Sequence, residues 1–126
     1  MVKTAGLHHI QLVVRDLDRS LAFYTRVFGM KEQFREGTYM VFLNTPGTHD
    51  LITLNQDPKD AKRAGDNGGM NHFGFHLSDA KDMDAAVAEV QSAGGTLIAR
   101  GEHAPGELYA YVRDPDGYVI ELGASA

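Results

Sequence analysis

Three side chains have the types and placement to hold a divalent cation: His9, His72 and Glu121. Such an ion takes neutral imidazole nitrogens and carboxylate oxygens that converge from different elements. His9 and His72 occupy matching positions in two similar segments 63 residues apart, so a pseudo-twofold arrangement would bring both rings toward one point. Glu121 alternates with Ile120 and Leu122 and therefore projects to the opposite side from them. A carboxylate among apolar neighbours needs a partner to offset its desolvation, and a metal is one. With six histidines in the chain, the spacing also admits a second reading, in which these are polar cavity residues satisfied by ordinary hydrogen bonds. There is no cysteine, which removes thiolate zinc sites, disulfides and cysteine nucleophiles.

The elements that must position these residues come in two copies. Leu7-His8-His9-Ile10-Gln11-Leu12-Val13-Val14-Arg15-Asp16 lies over Met70-Asn71-His72-Phe73-Gly74-Phe75-His76-Leu77-Ser78-Asp79, with His on His, Asp on Asp and apolar residues in step. A helix should follow each segment. Asp16 or Asp18 can cap the first, which runs through Phe28 with Leu17, Leu21, Tyr24 and Phe28 near one face and Gly29 as its stop. Ser78 or Asp79 opens the second, which carries Met83, Ala86, Val87 and Val90 and ends at Gly94-Gly95. Three strands are expected after each helix, at about 31–35, 38–44 and 50–55 and at about 96–100, 108–113 and 118–123. Turn signals such as Thr45-Pro46-Gly47 and Asp114-Pro115-Asp116-Gly117 divide them. The chain reads as α+β: two βαβββ modules at 5–55 and 70–126, joined by a polar linker at 56–69.

Alternation in the first strand of each module separates two faces. Ile10, Leu12 and Val14, matched by Phe73, Phe75 and Leu77, should pack beneath the helices. His9, Gln11 and Val13, matched by His72, Gly74 and His76, form a partly polar face suited to lining a ligand site. A slip of one residue would exchange the two sets.

Composition narrows the partners. A net charge of −5 with scattered basic residues offers no footprint for nucleic acid or an anionic membrane. No apolar run reaches the 18 residues of a membrane span, and Met1–Leu7 carries no export-type apolar stretch, so a cytoplasmic location is expected. Neither a phosphate-binding glycine loop nor a G-x-S-x-G elbow is present.

The order of elements and four motifs resemble the vicinal oxygen chelate superfamily, the group of glyoxalase I, extradiol dioxygenases, fosfomycin-resistance enzymes and bleomycin-resistance proteins. The motifs are the Leu7–Leu17 segment, Ser20-Leu21-Ala22-Phe23-Tyr24 with Phe28-Gly29-Met30, Asn71-His72-Phe73-Gly74-Phe75, and Asp114-Pro115-Asp116-Gly117-Tyr118-Val119-Ile120-Glu121-Leu122. The resemblance covers nearly the whole chain. It implies a glyoxalase/bleomycin-resistance/dioxygenase-type fold, with the family's metal ligands falling on His9, His72 and Glu121. It also implies a substrate chelated through adjacent oxygens, the metal acting as a Lewis acid. Glyoxalase I has a fourth ligand, a Glu in the last strand of the first module, and the best-aligned residue here is Leu51. What remains is the two-histidine, one-carboxylate triad associated with non-haem iron. Fe2+ is therefore favoured, and Mn2+, Zn2+, Ni2+ or Co2+ also suit the donors.

Other residues carry secondary expectations. Tyr111, ten residues before Glu121, resembles the active-site Tyr of extradiol dioxygenases, and packing alone also accounts for an aromatic there. His76 shares the polar face with His72 and is a candidate general base, or a hydrogen-bonded interior His. His103 is read as a solvated loop residue, His8 as facing away from His9, and His49-Asp50 as a turn-edge pair. The expected function is a metal-dependent enzyme on a small-molecule substrate, extradiol dioxygenase-like. A glyoxalase-like lyase or isomerase and a non-catalytic drug-binding protein are the alternatives. A homodimer is expected, with pairing of modules within or between chains left open.

Overall fold

The first helix shows how local chemistry sets a boundary. In the computed structural model, which describes Met1–Ala126 throughout, Asp16 is extended and its carboxylate accepts from the Arg19 N–H at 3.0 Å. That cap starts α1 (Leu17–Phe28). Gly29, at φ 65°, takes the left-handed conformation that closes it, and its N–H donates to the Thr25 carbonyl at 3.0 Å. Leu17, Ser20, Phe23 and Tyr24 are buried, whereas Leu21 and Phe28 are half-buried. The inward face is thus turned from the expected one. Burying the edge-to-face rings of Phe23 and Tyr24, 5.3 Å apart, removes more apolar surface than burying Leu21 would.

Two compact units divide the chain, Met1–Lys62 and Arg63–Ala126. The first holds β1 (Ile10–Val13), α1, β2 (Lys31–Glu36), β3 (Met40–Asn44) and β4 (Ile52–Asn55), in a sheet of order β1-β4-β3-β2. The second holds β5 (Phe73–His76), α2 (Met83–Ser92), β6 (Thr96–Ala104), β7 (Glu107–Arg113) and β8 (Val119–Ser125), in the order β5-β8-β7-β6. In each sheet the first strand of the unit runs parallel to the last, and the other pairs are antiparallel. Both units are therefore βαβββ.

Alternation is clearest in β3 and β8, whereas β4 buries Ile52, Thr53 and Leu54 in a row and β2 is exposed throughout. Leu12, Val41, Leu43, Ile52 and Leu54 are buried in the first, and Ala110, Val112, Ile120, Leu122 and Ala124 in the second. The second helix departs from expectation at its start. Asp79 caps a 3-10 turn (Ala80–Asp82), accepting from the Lys81 N–H at 2.9 Å, and α2 begins only at Met83. Phe73, Phe75 and Leu77 are half-buried rather than enclosed beneath a helix. The reason is positional: α2 packs over β6 and β7, while β5 is the far edge of that sheet.

The segment read as a polar linker carries structure of its own. It forms a 3-10 turn at Ala61–Arg63 and buries Ala64. Gly65, at φ 83°, packs so close to the turn before β8 that a methyl group there would overlap the Asp116 carbonyl. That turn is organised by Asp114, 3% exposed, whose Oδ1 accepts from the N–H groups of Asp116, Gly117 and Tyr118 at 2.9–3.0 Å. It fixes the start of β8. Asp114→Ala removes the one acceptor that three N–H groups share and should lower the free energy of unfolding by about 3 kcal/mol, while Asp114→Asn should lose less. Urea denaturation checks this; a loss below about 1 kcal/mol for the alanine variant would contradict the role given to the turn.

Candidate metal centre

Glu121 owes its position to the two strands beside β8. Register places Gly74 of β5 on one side of it and Tyr111 of β7 on the other. Its neighbours Ile120 and Leu122 are fully buried on the opposite face, so the carboxylate must emerge on this one. A Cβ at Gly74 would lie 2.9 Å from the Glu121 carbonyl oxygen and 3.4 Å from the Glu121 Cβ. Glycine is what lets β5 approach, and with it His72, the residue just before that strand.

His72 Nε2 lies 3.2 Å from Glu121 Oε1, and His72 Nδ1 lies 2.7 Å from Asn71 Oδ1. The Tyr111 ring meets His72 edge to face at 5.0 Å. Its hydroxyl donates to Glu121, and that hydrogen bond, followed by desolvation, raises the phenol above its ordinary pKa. On the other side of the carboxylate, His103 Nε2 is 3.6 Å from Glu121 Oε2, and its ring stacks on Tyr109 at 4.2 Å. His76 is exposed on the same face beside Gly123; a Cβ at Gly123 would lie 3.5 Å from His76 Nδ1 and 3.9 Å from Glu121 Oε2.

Of the three expected ligands, His72 and Glu121 are together in the second unit. His9 belongs to the first, exposed and just ahead of β1. No three His, Asp or Glu side chains within one unit are arranged to hold an ion. Leu51 stands next to His9 across the β1–β4 pair, where Ile10 N–H donates to its carbonyl at 3.3 Å, and it supplies no donor.

Two expectations are corrected. His103 is in β6, not a solvated loop, because that strand runs on through Gly101 to Ala104. A Cβ at Gly101 would come within 3.0 Å of the Tyr109 hydroxyl, so the glycine makes room for the ring rather than ending the strand. His8 does not face away from His9: their Nδ1 atoms are 2.8 Å apart, since β1 begins only at Ile10 and strand alternation does not reach these residues. His49-Asp50 is a turn-edge pair as read, with Asp50 Oδ1 accepting from the Thr45 N–H at 2.7 Å. Asn71 belongs to the Asn71–Phe75 motif, but the sequence gives no signal of its contact with His72.

The donor chemistry fits a cation. When Nδ1–H of the neutral ring is directed at Asn71, Nε2 offers a lone pair toward an oxygen that also only accepts. Two such atoms repel unless positive charge lies between them. Ligands held at about 2.1 Å from one ion, a right angle apart, are separated by about 3 Å, close to the spacing seen here.

A model of the Glyoxalase/Bleomycin resistance protein/Dioxygenase superfamily matches residues 6–122. Catechol-2,3-dioxygenase of Bacillus subtilis is 32% identical over 117 residues, covering 92% of this chain and 40% of that protein. A probable lactoylglutathione lyase of Vibrio cholerae is 32% identical over 125 residues, 90% of this chain and 86% of the other. Among solved structures, a mutant of the fosfomycin resistance protein FosX of Listeria monocytogenes is complexed with Mn(II) and 1S,2S-dihydroxypropylphosphonic acid. It aligns with a TM-score of 0.78 at 23% identity over 98% of this chain and 93% of its own, a likeness of fold.

The two glycines beside Glu121 should respond differently to substitution. Gly74→Ala forces a methyl against β8 and should destabilise the protein by about 1–3 kcal/mol. Gly123→Ala meets only ordinary contacts and should be within about 1 kcal/mol of neutral. Equal losses in chemical denaturation would contradict the close β5–β8 approach.

Proposed function

The chain belongs to the glyoxalase/bleomycin resistance protein/dioxygenase superfamily, and on that premise we propose that it is a metal-dependent enzyme whose small substrate binds through two adjacent oxygens. His9, His72 and Glu121 are its ligands in this reading, and the observation that carries it is the opposition of His72 Nε2 and Glu121 Oε1 at 3.2 Å. When bound, the ion supplies a Lewis acid that draws charge from the chelated oxygens. Fe2+ is the favoured ion, with Mn2+, Zn2+, Ni2+ and Co2+ suited to the same donors.

The favoured reaction is extradiol dioxygenase-like, with a catechol-type diol as substrate. Two features support it. Leu51 brings no fourth protein donor, which leaves coordination positions for substrate. Tyr111 holds a hydroxyl against Glu121, within the site and outside the proposed ligand set, where it can bind a substrate oxygen. His103 and Tyr109 add a stacked pair of rings beside the carboxylate, a surface suited to a flat substrate. His76, on the same face, is the candidate for moving a proton. A glyoxalase-like lyase is the second reading, favoured by the lyase relative, which this chain nearly spans. Retention of all three ligand positions argues against a drug-binding protein without a metal.

Iron-loaded protein should consume oxygen with at least one member of a catechol panel, and Glu121→Ala should abolish that uptake. Tyr111→Phe should reduce turnover by about 10²-fold and lower it more than it weakens metal binding, because the hydroxyl lies outside the proposed ligand set. Metal-dependent turnover of a hemithioacetal, without oxygen uptake on any diol, would replace the dioxygenase reading by the lyase reading.

A further inference from the structure

Each candidate histidine has the inner nitrogen of its ring engaged by the residue immediately before it. Asn71 Oδ1 lies 2.7 Å from His72 Nδ1, and His8 Nδ1 lies 2.8 Å from His9 Nδ1. His8 and Asn71 are equivalent positions of the internal repeat, 63 residues apart. Consecutive residues of a strand point to opposite faces and cannot touch in this way. Both pairs can, because β1 starts at Ile10 and β5 at Phe73, leaving each pair just outside its strand.

A neutral imidazole carries one N–H and one lone pair, and the hydrogen bond at one nitrogen decides what the other offers. An amide oxygen only accepts. With Asn71 Oδ1 at His72 Nδ1, a neutral ring keeps its proton there and leaves the lone pair on Nε2, the atom facing Glu121. We propose that Asn71 is a positioning residue that fixes His72 as the Nδ1–H tautomer and so reserves Nε2 for a divalent ion shared with Glu121. The inference rests on the metal-centre reading. Reversing the amide would place Nε2–H against Glu121 Oε1 and close the pair to a cation. The first unit is built differently: either ring of the His8–His9 pair can donate, so that contact does not impose a direction as the amide oxygen does.

The test uses the full chain with Mn(II) alone as the probe, together with 15N NMR of the ring nitrogens in metal-free protein. Wild type should show His72 with its proton on Nδ1. Asn71→Ala should lose that preference and bind Mn(II) about 10- to 100-fold more weakly, with an unchanged unfolding midpoint. Asn71→Asp, which can only accept, should keep both the tautomer and the affinity. The proposal is overturned if wild-type His72 carries its proton on Nε2, or if Asn71→Asp weakens binding as much as Asn71→Ala. Wild type that shows the Nδ1–H tautomer yet binds no Mn(II) would sink the metal reading and leave the tautomer lock standing.

Discussion

His72 Nε2 and Glu121 Oε1 are held 3.2 Å apart, and when the neutral ring keeps its proton on Nδ1 both atoms can only accept hydrogen bonds. Such an arrangement is unfavourable by itself, and a partly buried one more so, because little water can intervene. The fold has to impose it. Imposed opposition of this kind is what a metal centre needs before its ion arrives, since ligands brought in from solution would each have to be ordered first.

The surrounding structure can be understood as the means of imposing it. Parallel pairing of β5 with β8 puts Gly74 opposite Glu121, and the missing side chain lets the strands close. The buried Asp114 carboxylate ties three consecutive N–H groups and so sets where β8 begins, which decides the face Glu121 takes. Gly65 seats the preceding segment against the same turn. On the antiparallel side, β7 supplies Tyr111, whose hydroxyl satisfies part of the carboxylate without adding charge. Glycines and a turn carboxylate thus decide whether His72 and Glu121 meet.

Much of this was legible in the residues. Two strand–helix–strand–strand–strand modules followed from the repeat and from alternation, and α1 starts and ends at its own cap residues, Asp16 and Gly29. The second helix was legible in its apolar spacing but not in its start, because a cap at Asp79 serves a 3-10 turn as well as an α-helix. His103 was misplaced for a related reason. Gly101 carries the same local signal as a strand terminator or as space for a ring, and only the cross-strand position of Tyr109 distinguishes them. The contacts of His8 and Asn71 depend on where each strand begins to the single residue, the least legible feature of any sequence. The reaction itself is less legible still, since dioxygenase and lyase relatives share the ligand types and differ in what surrounds them.

X-ray absorption of the iron-loaded protein addresses the central claim most directly. The account predicts a shell of nitrogen and oxygen donors at about 2.0–2.2 Å with the outer-shell scattering of two imidazoles, falling to one in His72→Ala. An ion that washes out on dialysis, or a shell without imidazole, would contradict it.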